Sequence, residues 1–98
     1  MTAAPPTLAD FTALCGERFA LQHDGVDGLW ADLVEAQALS GPPFNGRQPF
    51  SLLFTGPAAP ALPQGTYRLV HAQMPAFDLF LVPVGADASG VRYQAIFG

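Results

Sequence analysis

Ten glycines and ten prolines are spread through the 98 residues, and their spacing constrains the fold more than any other feature. Most segments between these turn formers are too short for a stable helix and are rich in Phe, Val, Tyr and Thr, which reads as β. The clearest is Pro49 to Thr55, where Phe50, Leu52 and Phe54 lie on one face and Ser51, Leu53 and Thr55 on the other. The same reading gives strands over Glu17 to His23, Thr66 to Gln73, Phe77 to Val84 and Val91 to Phe97. In the first, Phe19 and Leu21 alternate with Arg18, Ala20 and Gln22; in the last, Tyr93, Ala95 and Phe97 share a face. Phe77 to Val84 is largely apolar on both faces, with Phe77, Leu79 and Leu81 against Asp78, Phe80, Val82 and Val84. That pattern predicts a central strand covered by something else. Pro83 then has to sit near the strand end or at a bulge, where its missing N–H is not needed.

One short helix is expected at Leu8 to Leu14, with Thr7 as its N-cap, Asp10 in its first turn and Gly16 just past its end. Leu8, Phe11 and Leu14 recur every three residues. Two turns cannot stand alone, so the helix is read as a lid over one end of a sheet. Leu29 to Leu39 is ambiguous: its Ala, Leu, Glu and Gln favour a helix, whereas as a strand it turns Leu29, Ala31 and Leu33 inward and Trp30, Asp32 and Val34 outward. Loops are expected at Ser40 to Gly46 and Gly56 to Gly65, the second a proline-stiffened surface connection. No internal repeat is evident. The expected fold is all-β and mainly antiparallel, a small six-stranded barrel or barrel-like sandwich with one short N-terminal helix. Residues 1–7 are expected to be a flexible N-terminus and residues 8–98 a single small domain.

Charge narrows the function. Charged residues are only 12 %, the net charge is −4 and there is no lysine, so four scattered arginines leave no basic footprint for nucleic acid. No apolar run reaches the roughly 20 residues of a membrane helix. The first residues have neither a basic stretch nor an apolar core of the secretory kind, which predicts a cytoplasmic protein without a signal peptide. Cys15 is the sole cysteine, which forbids an internal disulfide. Between Leu14 and Gly16 it is expected to be a small buried hydrophobe.

Catalytic parts are sparse. His23 and His71 are the two imidazoles, and neither has a metal-ligand spacing. His23 with Asp24 and Asp27 reads as turn chemistry, and His71 as a satisfied strand histidine sharing a face with Tyr67 and Leu69. Asp32 and Glu35 fall on one side of a helix or on opposite faces of a strand; only the helix lets them cooperate, and even there a solvated face is the expected reading. No nucleophile elbow or phosphate-binding glycine loop is present. No catalytic residue, metal site or cofactor is therefore expected. A histidine clustered with Cys15 or a carboxylate would be the sign of an enzyme.

Several stretches together carry a resemblance: Phe11-Thr12-Ala13-Leu14-x-Gly16-x-x-Phe19, Phe50-Ser51-Leu52-Leu53-Phe54-x-Gly56, Gln64-Gly65-Thr66-Tyr67-Arg68-Leu69-x-His71, Leu79-Phe80-Leu81-Val82-Pro83-Val84-Gly85 and Tyr93-Gln94-Ala95-Ile96-Phe97. In order and spacing they resemble a family of small bacterial proteins classed as a domain of unknown function. The resemblance covers almost the whole chain. It implies a strand over Leu29 to Glu35, and a setting similar to phage-tail-like or fibre-associated bacterial proteins, hence a protein partner.

The expected function is a non-enzymatic protein-binding or assembly module, acting on a protein partner or by self-association, without nucleic acid, a membrane span or a cofactor. Loop and outer-face aromatics make good partner anchors because they bury much area at low entropy cost. The candidate partner-binding residues are thus Trp30 and Phe44, with Asn45 and Arg47 beside the latter. Two alternatives are a carrier of a small apolar ligand, with an interior lined by Phe50, Phe54, Tyr67 and Phe80, and an acidic inhibitor or immunity protein.

Overall fold

The computed structural model describes residues 7–23, 26–40, 49–59 and 61–97. Helix α1, Leu8–Ala13, starts at a reciprocal cap: Thr7 Oγ1 accepts from Asp10 N at 3.3 Å, and Thr7 N donates to Asp10 Oδ2 at 2.9 Å. It ends where Gly16 takes a φ of 89°, open to glycine at little cost. Gly16 N then donates to Leu33 O at 2.7 Å, and Leu33 N to Glu17 O, which ties the helix exit to the sheet. Phe11 and Leu14 are buried, and the Phe11 ring meets Phe50 and Phe77 at 5.7 and 5.5 Å. The helix is the expected lid. Cys15 is a correction: it is exposed, because the three-residue repeat turns Leu14 inward and the next side chain out.

Among the described residues six strands follow: β1 (Arg18–His23), β2 (Val26–Ala38), β3 (Phe50–Gly56), β4 (Gly65–His71), β5 (Met74–Asp87) and β6 (Gly90–Phe97). They close into an antiparallel barrel in the order β1-β2-β3-β6-β5-β4, which returns to β1 and removes the free edges of a sheet this apolar. The ambiguous segment is strand. Its first half pairs with β1 and its second half with β3, and two ladders outweigh the modest helix preference of its residues. A bulge between Leu33 and Glu35 adds one residue, Val34. Glu35 is thereby returned to the outer face that carries Asp32, which corrects the expectation of opposite faces.

Other boundaries move as well. β4 ends at His71 and β5 begins at Met74, so Ala72 and Gln73 make the turn, held by Gln73 N donating to His71 Nδ1 at 3.0 Å. At the far end β5 runs on to Asp87, whose Oδ1 accepts from Ser89 N at 2.8 Å. Pro83 stands at the β5 bulge, where the register with β6 shifts between Pro83 and Gly85. The second apolar face of β5 is a further correction: Phe80 and Val84 are 51 % and 50 % exposed, so nothing in the barrel covers it.

The registers reveal a repeat that the residues conceal. β1–β2 pairs Phe19 with Ala31, Leu21 with Leu29 and, after a shift, His23 with Val26. β4–β5 pairs Tyr67 with Leu79, Leu69 with Phe77 and, after a shift, His71 with Met74, the same ladder displaced by 48 residues. β2–β3 and β5–β6 continue the correspondence, each with one bulge. In the two seams between the halves, equivalent residues meet themselves, Leu21 against Leu69 and Leu53 against Gln94. One pseudo-two-fold axis through both pairs relates β1-β2-β3 to β4-β5-β6. The core, which includes Phe19, Leu21, Phe54, Tyr67, Leu69 and Tyr93, lies between them.

Candidate functional site

Trp30 projects outward from β2 and is partly buried. The Arg18 guanidinium lies 3.6 Å over its ring, held there by Asp32, whose Oδ1 accepts from Arg18 Nε at 2.8 Å. That hydrogen bond raises the Arg18 pKa, against slight desolvation. Trp30 is therefore an indole with one face capped by a cation. Phe44, Asn45 and Arg47 lie outside the described residues.

The histidines occupy equivalent places across the β1–β4 seam. His23 stacks on Tyr67 at 4.7 Å with Nδ1 3.0 Å from Thr66 O, and His71 stacks on Phe19 at 4.9 Å with Nε2 3.4 Å from Glu17 Oε1. His71 Nδ1 already accepts from the turn, so its Nε2 carries the proton toward Glu17. This is a histidine–carboxylate contact, the sign named above for an enzyme. Each ring bridges β1 and β4, so both imidazoles clamp the seam. No cluster of three or more metal-ligating side chains occurs among the described residues.

A different surface draws the eye. Among the described residues Val34, Phe80, Val84 and Ile96 are the exposed large hydrophobics, at 52, 51, 50 and 58 %. Phe80, Val84 and Ile96 share the outer face of the neighbouring strands β5 and β6, and Val34 stands on β2, across β3 from them. The register pairs Val82 with Gln94 and Gln94 with Leu53, so Phe80 and Ile96 are level with each other one step along. Leu53 and Val82 are half-buried between them. The centre of this face carries no charge. Glu35 lies at one margin and the Arg92–Asp87 pair, with Nη1 to Oδ2 at 2.6 Å, at the other. Asp87 is held below its ordinary pKa, mainly by that hydrogen bond and next by Ser89 N. Two further ion pairs bound it along the strands: Arg18–Asp32 joins β1 to β2, and Arg68–Asp78 joins β4 to β5 two residues from Phe80.

Sequence reasoning had the signal for this face, the two-sided apolar pattern of β5, and assigned it to a covering layer. It also put Phe80 in the interior; Phe80 faces out, and the interior belongs to Phe50, Phe54 and Tyr67. Two clefts flank the barrel. One of about 320 Å³ lies between α1 and the β4–β5 turn, lined by Asp10, Leu14, Gln73 and Met74 among others; one of about 20 Å³ lies beside Trp30, Leu62 and Tyr93.

Fold and surface together define a small closed antiparallel barrel with a helical lid and exposed apolar side chains on β5 and β6. Residues 6–97 match the model of the family described as Domain of unknown function (DUF6916), and the chain belongs to that family. No curated protein and no solved structure gives a significant match. No helix among the described residues is long and apolar enough to cross a membrane.

Proposed function

We propose that this protein is a non-enzymatic binding or assembly module that docks a protein partner on the outer face of β5 and β6, around Phe80 and Ile96. One observation carries the reading: Phe80 and Ile96, 51 and 58 % exposed, stand level on the neighbouring strands β5 and β6, with half-buried Val82 beside them and exposed Val84 further along β5. Apolar side chains left together in water, rimmed by polar groups, mark contact surfaces. The net charge of −4 without lysine favours a partner with an apolar centre and a basic rim.

The test compares wild type with Phe80→Ser/Ile96→Ser and with Trp30→Ala in affinity capture, followed by titration of the purified partner. The face variant is expected to lose at least tenfold in affinity while keeping its melting temperature, and binding should weaken with salt. Equal recovery by the face variant, or loss confined to Trp30→Ala, overturns the reading in favour of the Trp30 side.

A further inference from the structure

The pseudo-two-fold barrel is a pair of three-stranded halves joined by one connection, residues 57–64, and this suggests a partner for each half. The strand pairing between the halves runs through two antiparallel seams, β1–β4 and β3–β6, and the core between them is closed by contacts such as Phe11 on Phe77. The chain crosses neither seam by a hairpin. A second copy could therefore supply the same strands with the same registers, and each barrel would keep its whole core. We infer that two copies of this chain can exchange halves, giving a two-chain form in which each barrel combines α1 to β3 of one copy with β4 to β6 of the other. The inference rests on the strand pairings alone and is independent of the proposed outer-face partner.

The connection is suited to act as the hinge. β3 and β4 are not neighbours in the barrel, so it crosses the mouth between them. It carries Pro57, Pro60 and Pro63, which favour extended backbone. Its closing bonds belong to the second half: Leu62 N donates to Tyr93 Oη at 2.8 Å, and Tyr67 Oη donates to Pro63 O. Both survive an exchange that opens at Pro57 to Ala59. With Leu62 and Pro63 held to the second half, the free span is residues 57–61, which reach about 17 Å extended, so the two barrels of the exchanged form meet at the hinge. Exchange conserves the contacts and differs from the closed form in the hinge and in concentration, so it is favoured when copies are concentrated or tethered.

Two full-length chains provide the test. Phe54→Asp places a charge in the core of the first half, and Tyr93→Asp does so in the second; both positions are at most 1 % exposed. Each variant alone is expected to be unfolded by circular dichroism and amide dispersion. Refolded together at about 100 μM each, they should give a species of two-chain mass carrying one native barrel, with up to half of the wild-type signal per chain. A mixture whose spectrum is the sum of its components overturns the inference, as does a two-chain mass without native signal. If either single variant stays folded, adding Leu33→Asp to the first chain or Leu81→Asp to the second restores the contrast, and the same two outcomes decide.

Discussion

At single residues the barrel is least forgiving where backbones meet. Gly90 has a φ of 135°, and a Cβ built on it would lie 2.1 Å from Gly56 O. Gly16, at a φ of 89°, has open space around the same position. Gly90→Ala should therefore cost about 3 kcal/mol or more, strain plus a carbonyl that cannot retreat from its ladder. Gly16→Ala should cost about 1–2 kcal/mol from the left-handed backbone alone. Urea midpoints at unchanged m-value read the difference, and equal losses would show that the Gly56–Gly90 approach is slack. Asp87 gives a prediction in pH. Its folded pKa is lowered by Arg92 and by Ser89 N, so its contribution is present above the ordinary carboxylate range, about pH 4, and is lost as pH falls through the lowered value. Melting temperatures between pH 2 and 6 should show Asp87→Asn with a shallower acid decline than wild type; parallel curves would rule the pair out as a contributor.

Among the elements, α1 was legible almost to the residue, because its cap, its three-residue apolar repeat and its terminal glycine are local signals. Thr7→Ala removes the side-chain acceptor for Asp10 N and should cost about 1 kcal/mol, seen as a matching drop in the urea midpoint. β2 was less legible because Ala31, Glu35, Ala36 and Gln37 favour a helix, and the decision lies in β1 and β3, which are remote in sequence. The covering of β5 was misread for a related reason: alternation says which residues share a face and is silent on whether that face meets water. Ala31 tests the packing that decided β2. It is fully buried opposite Phe19, whereas its counterpart Leu79 stands opposite Tyr67. Ala31→Leu should thus overpack one half and cost about 1–3 kcal/mol by chemical denaturation, and an unchanged midpoint would mean that the halves share a looser core than their registers imply.

Across the whole molecule, symmetry is kept inside and discarded outside. Leu21, His23 and Leu33 recur as Leu69, His71 and Leu81 at the same registers, yet the paired Arg18 and Asp32 correspond to Thr66 and Phe80, and Ala20 and Trp30 to Arg68 and Asp78. So few identities survive that the repeat is invisible to inspection of the chain, while strand pairing, which depends on spacing, preserves it. The exterior has diverged where one half carries an ion pair and the other an aromatic, Phe80 in one case and Trp30 in the other, which is how a symmetric core presents two different surfaces. The axis itself can be tested. Leu21 and Leu69, 1 % and 0 % exposed, face each other across the β1–β4 seam in equivalent positions. Truncating either to Ala should cost about 2–5 kcal/mol, and the two losses should agree within about 1 kcal/mol, because each removes the same contact from opposite sides. The double variant should lose less than the sum, since the side chains share one space and their effects are coupled. A double-mutant cycle by urea denaturation measures this directly. Strictly additive losses, or single losses that differ several-fold, would mean that Leu21 and Leu69 pack in unrelated surroundings and that the two-fold relation ends at the backbone.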